Sequence, residues 1–238
     1  MPAFVADGLT FNTTTGTHTV TLTPGVGELI IIISANTGFT ALTAPTDDNS
    51  SGTYTRIATA YKAANADTMS IFARTSLIPS TASTVFTHAP GTSSGGGLTV
   101  IEISGVSYKK TGASAAKQAV AVQSNQDPTI TPTPTFTYFP NPANMIIGAT
   151  FNATTGAGMT ARTGYTERRD VNYATPSTGL ETMTRDSGEA MKAIAWGGTI
   201  AFDSCSLALE LDSEADVDVI NVSNQNDPKT PQRYWKPA

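Results

Sequence analysis

Along much of this chain apolar and polar residues alternate with a period of two, and at one place the alternation stops. Thr17–Thr23 (T-H-T-V-T-L-T) sets His18, Val20 and Leu22 against threonines, as a half-buried strand requires. The turn Pro24-Gly25-Val26-Gly27 follows. Leu29–Ile33 is then apolar at every position, and four of the five residues are isoleucine. β-Branched side chains suit a pleated strand and are restricted in a helix. Leu29, Ile31 and Ile33 share one face of that strand, and Ile30 and Ile32 the other. Both faces need cover. The run predicts a central strand with the core on one side. An arm of the chain or a neighbouring subunit is expected on the other, which makes Ile30 and Ile32 interface candidates.

Further strands are predicted at Tyr54–Tyr61, Thr68–Thr75, Ser83–His88 and Leu98–Ser104. Met1–Thr15 reads as a lead-in segment that Phe4, Val5, Leu9 and Phe11 can anchor to a sheet. The Ala-rich stretch Thr111–Asn125 fits a short helix, or an extended segment at Ala119–Val122. The prolines of P-T-I-T-P-T-P-T-F-T-Y-F-P-N-P exclude a helix and a central strand. That stretch reads as an extended linker into an edge strand around Phe136 and Tyr138.

The second half echoes the first. V-T-L-T-P-G-V-G-E-L-I-I-I-I-S-A-N parallels F-T-Y-F-P-N-P-A-N-M-I-I-G-A-T-F-N, Gly52–Arg56 parallels Gly164–Arg168, and Leu98–Gly105 parallels Ser206–Ser213. The echo predicts an internal duplication, 16–107 and 129–211, within one β-sandwich spanning 16–211. S-N-Q-D-P at Ser124–Pro128 returns as S-N-Q-N-D-P at Ser223–Pro228, as if one exit turn were used twice. From 212 to 238 charge rises and prolines return, as a segment unable to fold alone would have it. It reads as an extended C-terminal arm. Val217 and Val219 can add a strand to a sheet edge, and Tyr234 and Trp235 are its candidate anchors.

Composition narrows the chemistry. Charged residues are 14% of the 238, and threonine, serine, glycine and proline fill the gap, as in all-β proteins with many turns. The net charge is −5 with no basic patch, which argues against a nucleic-acid partner; Lys109-Lys110 and Arg168-Arg169 read as solvated pairs. No run is long enough to cross a membrane as a helix. The start, M-P-A-F-V-A-D-G, lacks the basic and long apolar parts of a secretory signal. Cys205 is the only cysteine and reads as a buried thiol.

Asp47, Asp48 and Asn49 offer oxygens for a cation, but not at the alternate spacing of a calcium loop. An Asx-rich turn is expected, with no metal and no cofactor. His18 is expected to be a hydrogen-bonded core histidine. His88 with a serine and an aspartate is a remote triad candidate. Glu102 and Glu210 occupy equivalent positions, and paired carboxylates serve glycosidases. Both alternate with apolar residues, so they are expected on the solvent face. For Trp196, Tyr165 and Tyr173, core packing is expected ahead of sugar contact. No catalytic residue is assigned.

The order G-E-L-I-I-I-I, D-D-N-S-S-G-T-Y-T, M-S-I-F-A-R, S-T-V-F-T, L-T-V-I-E-I-S-G-V, closed by M-I-I-G-A-T-F and L-A-L-E-L, resembles a family. It consists of Thr/Gly-rich, jelly-roll-like β-sandwich proteins of tailed phages and bacteria. The likeness runs from about Thr17 to Leu211. It implies an all-β antiparallel sandwich of two repeated strand sets. It also implies a non-enzymatic virion protein: a capsid decoration or head-fibre protein, or second a tail accessory protein. Its partners would be other virion proteins and further copies of itself. The alternative is a carbohydrate- or receptor-binding module recognising a host glycan.

Overall fold

A computed structural model describes residues 1–12, 16–37, 42–62, 67–89, 95–123, 133–152, 159–174, 177–198 and 204–213. The first half forms β1 (Ala3–Asn12), β2 (His18–Leu22), β3 (Leu29–Thr37), β4 (Thr46–Asp47), β5 (Tyr54–Lys62), β6 (Asp67–Arg74), β7 (Thr84–His88) and β8 (Gly95–Ser104). After one 3₁₀ turn, Gly112–Ala115, come β9 (Ala116–Gln123), β10 (Ile146–Asn152), β11 (Met159–Thr160), β12 (Thr166–Ala174), β13 (Ser177–Arg185), β14 (Gly197–Gly198) and β15 (Ser204–Leu211). The all-β antiparallel sandwich expected from the alternation is what forms.

The first half makes a five-stranded sheet, β1-β8-β3-β6-β5, and a small sheet, β2-β7-β4. Apart from the β5–β6 hairpin, each consecutive pair of strands crosses between those sheets, the wrap of a jelly roll. The second half repeats it. Its sheet, taken from one edge, is β9-β15-β10-β13-β12, and each strand matches its counterpart in chain order. β11 pairs β14, and Thr135 bridges Ala193, in place of the small sheet. The register agrees as well: Ile30 lies opposite Glu102, and Ile146 opposite Glu210. Bulges recur at matching places, Phe4/Ala6 in β1 with Ala116/Gln118 in β9, and Arg56/Ala58 in β5 with Glu167/Arg169 in β12. This register aligns Tyr54 with Tyr165, one residue away from the echo of Gly52–Arg56 in the sequence.

The two five-stranded sheets face each other. Leu29, Ile31 and Ile33 of β3 and Met145, Ile147 and Ala149 around β10 meet there in one core, with Cys205 buried among them. Asp7 of β1 pairs with Arg169 of β12 at 2.8 Å, while β5 packs on β9 and β15 at the other edge. The first strand of each sheet thus lies on the last strand of the other. A two-fold axis along the strands, between the sheets, relates halves in that way.

Ile30 and Ile32 are also wholly buried, against Val20, Phe86, Leu42 and Ile78. Their cover is the chain's own small sheet with the segments beside it, not an arm or a neighbouring subunit. The second unit caps its outer face with Phe136, Met159, Ile194 and Trp196. Gly148 stands where the first unit has Ile32. A Cβ on Gly148 would meet Met183 at 2.7 Å and Trp196 at 3.6 Å, so the Met183 side chain, with the indole beyond it, takes the space beside Gly148 where the first unit has an isoleucine.

Three boundaries move. The lead-in 1–15 contains β1, a ten-residue edge strand, so the first unit starts before residue 16. The Ala-rich stretch belongs to the second unit as β9. Asp212 donates its N–H to the Ala115 carbonyl and pairs with Lys110 at 2.8 Å, so the start of the proposed arm is held to the body. Val217, Val219, Tyr234 and Trp235 lie outside the described residues.

Candidate functional site

The D-D-N-S-S-G stretch builds a socket for a guanidinium. Arg74, on β6 and only 1% exposed, sends Nε to Asp47 Oδ2 at 2.8 Å. Its Nη atoms donate to the carbonyls of Asn49 at 2.6 Å and Leu77 at 2.9 Å. The Tyr54 hydroxyl donates to the same Asp47 oxygen at 2.7 Å. Burial, then Asp47, push that phenol above its ordinary range. Asp48 accepts the Val85 N–H, and Asn49 donates to Ser80 and Thr84. Gly52 must be glycine, since a Cβ there would overlap the Asp47 carboxylate.

The second unit makes the same clamp from different parts. Arg185 takes the register position of Arg74. Its partner, Glu189, comes from the segment after β13 and lies 3.3 Å away. Tyr165 donates to the same oxygen at 2.7 Å, and Arg162 approaches at 3.2 Å. Burial pushes the Glu189 carboxyl up. Tyr165, the Met191 N–H, Arg162 and Arg185 together outweigh that and hold it below its usual value. Tyr165 is thus half-buried in an ion-pair network; the side chain of Tyr173 lies outside the described residues.

His18 and His88 are opposite each other on β2 and β7. His88 meets Ser34 Oγ at 2.7 Å through Nδ1 and the Thr43 carbonyl at 3.2 Å through Nε2. A carbonyl only accepts, so Nε2 carries the proton and Nδ1 accepts from the Ser34 hydroxyl. Burial, and then the neighbouring His18, push His88 down to about 4. The serine of the remote triad is therefore Ser34, which the sequence did not single out. Ser34 and His88 are fully buried and the third partner is a backbone carbonyl, so the pair locks β3 to β7. His18 departs from expectation: it is buried, and neither ring nitrogen has a partner.

Glu102 and Glu210 are 4% and 1% exposed, not on the solvent face. Glu102 accepts the Gly25 N–H at 2.7 Å, and Glu210 accepts the Asn141 N–H at 2.8 Å. Each reaches across to the turn before its central strand, Pro24–Glu28 or Pro140–Asn144, and satisfies an amide there. They sit in different sheets and form no catalytic pair. Arg168 and Arg169 are not loose surface charge either. Arg168 lies 3.5 Å over the Phe4 ring, and with Arg169 it fastens β12 to β1. Among the described residues, no three His, Cys, Asp or Glu side chains gather as a metal site.

Glu181 on β13 is 2% exposed. One oxygen accepts the Met159 N–H and the other has no partner. Burial, with Asp170 and Glu167 nearby, pushes its carboxyl up to about 8.

One cleft opens at the other end of the second unit. Lys117, Gln118, Tyr138, Phe139, Asn141 and Glu210 line about 270 Å³. Tyr138 is 74% and Phe139 73% exposed. Gln118 holds the Tyr138 backbone from both sides, accepting its N–H at 3.2 Å and donating to its carbonyl at 3.1 Å. The sequence predicted an edge strand around Phe136 and Tyr138; among the described residues no strand forms there beyond the Thr135–Ala193 bridge, Phe136 is buried in the second unit's cap, and Tyr138 is exposed. In comparisons with protein-family models, with curated proteins and with solved structures, nothing matches this chain.

Proposed function

We propose that this chain is a non-enzymatic structural protein of a tailed-phage particle. A capsid decoration or head-fibre role comes first and a tail accessory role second. The observation that carries the reading is that five sets of buried ionisable or hydrogen-bonding groups are used on the chain's own turns and strand ends. Arg74–Asp47, Arg185–Glu189, Ser34–His88, Glu102 and Glu210 each pin a turn or a strand end. An enzyme leaves such groups facing a substrate. Here they tighten two units that already share a continuous apolar core, which suits a component that has to survive outside a cell. The likeness to phage sandwich proteins points the same way. In this reading, residues beyond Ser213 join the protein to the particle or to further copies of itself.

The test is sedimentation. Particles from the source lysate are banded by density, probed with antibody to this chain and labelled with gold. The chain should band with the particles, and the gold should mark a repeated position. A version ending at Ser213 should melt like the full chain yet stay at the top of the gradient. A full-length chain that sediments apart from particles sinks the proposal.

A further inference from the structure

The two units are copies, so one serves as a control for the other, and around the Tyr138 cleft they differ. By the shared register, Tyr138 and Phe139 correspond to Leu22 and Thr23, Lys117 and Gln118 to Val5 and Ala6, and Asn141 to Gly25. Only the glutamate, Glu210 or Glu102, is common to both. The first unit closes the same turn on the same carboxylate without aromatic, amide or ammonium groups. The fold therefore does not require them. Two large rings about three-quarters exposed also give up the apolar burial that would normally recompense their presence.

We propose that this cleft binds a saccharide, with a sugar ring packed on Tyr138 and Phe139. A pyranose presents C–H bonds on a face and hydroxyls around its rim. The face suits an aromatic ring, and the rim suits amides, carboxylates and ammonium groups. The rings supply the face, and Lys117 and Asn141 line the cleft beside them; Gln118 holds the site, both its amide N–H bonds being taken by the Tyr138 carbonyl and Glu210. Its volume of about 270 Å³ lies just below the range of about 300–1,000 Å³ for drug-sized ligand pockets, which suits a single sugar ring. A protein partner needs roughly 800 Å² on each side, far more than this concavity offers. The site is also held in advance: Gln118 grips the Tyr138 backbone while Glu210 accepts from the Gln118 amide at 2.5 Å. Ordering cost on binding is thereby reduced. The inference goes beyond the particle-building role and does not depend on it.

The experiment is saturation-transfer NMR on the full chain with chitohexaose, maltohexaose and oligogalacturonate in turn. At least one should bind with a Kd of roughly 1 mM or tighter. Tyr138→Ala and Phe139→Ala should each weaken that binding about fivefold or more and leave the melting temperature in place, since both side chains are exposed. Tyr108→Ala removes an exposed ring elsewhere, 71% exposed, and should leave binding unchanged. Failure of all three sugars at about 10 mM, or equal binding by the Tyr138 and Phe139 variants, overturns the proposal. So does a self-association seen by sedimentation that Phe139→Ala abolishes, because the rings would then be a protein contact.

Discussion

Asp47 shows what a single side chain carries here. It holds the Arg74 charge, the Tyr54 hydroxyl and the Asn49 N–H together away from water. Asp47→Asn leaves a guanidinium buried without its counter-charge, and such losses cost about 3–5 kcal/mol. Denaturant unfolding should show that loss. The pair Asp47→Leu with Arg74→Met should cost less than Asp47→Asn alone, because removing both charges also removes their desolvation; an equal or larger loss would mean the ion pair itself stabilises the fold.

Two other residues contribute to the pH profile with opposite signs, and His18, pushed down by burial, acts in the same direction as His88. His88 is pushed from 6.5 down to about 4. Between those values the unfolded chain binds more protons, so stability falls as pH drops through that window. Glu181 is pushed from 4.5 up to about 8. Across that window the folded chain keeps a proton that the unfolded chain loses, so stability falls as pH rises. Melting temperatures should show His88→Gln flattening the acid limb and Glu181→Gln flattening the neutral-to-alkaline limb. Glu181→Gln should gain most near pH 8 and nothing below about pH 4. A variant that shifts the whole curve without changing its shape would contradict this.

Among the elements, β3, like its sheet neighbours β6 and β8, has its two faces in two different cores, Ile31 in one and Ile32 in the other. Ile32→Lys would put an ammonium beneath β2, β7 and β4 with no partner there, an expense of several kcal/mol. Loss of the cooperative melt is the expected outcome. Val26→Lys, in the exposed turn just before β3, should melt like the parent. A soluble, equally stable Ile32→Lys protein would mean that the small sheet does not seal that face.

At the scale of the molecule, neither unit is complete. Fragment 1–110 would expose Leu29, Ile31 and Ile33, which the second unit covers. An apolar surface of that size does not stay bare in water. The fragment should self-associate or aggregate alone and become soluble when co-expressed with 111–238. The two-fold relation of the halves even provides a route to a homodimer, since the missing face resembles the one it has. Analytical ultracentrifugation decides it: a well-folded monomer of 1–110 would show that the units are independent domains.

Six strands of the first half were legible in the sequence, since threonine alternation and the isoleucine run report local burial with a period of two; β1, read as a lead-in, and the two-residue β4, inside a polar loop, were not. The duplication was legible as well, because the turns at Pro24 and Pro140 and the glutamates Glu102 and Glu210 recur in the same order. What each face touches is set by contacts between distant segments. Nothing local in Leu29–Ile33 says that the cover over Ile32 comes from β2 and β7. Alternation beside Ile101 and Leu209 placed the glutamates on the face away from the inter-sheet core, and that face proved to lie under a turn. Arg185 finds its carboxylate in Glu189 and Arg74 in Asp47, although these acids occupy unrelated places in the chain. Side-chain direction is a local property of a strand. What meets the side chain depends on segments far apart in the chain, as Gly25 and Glu102 are at 77 residues, and hydrophobic pattern does not encode those pairings.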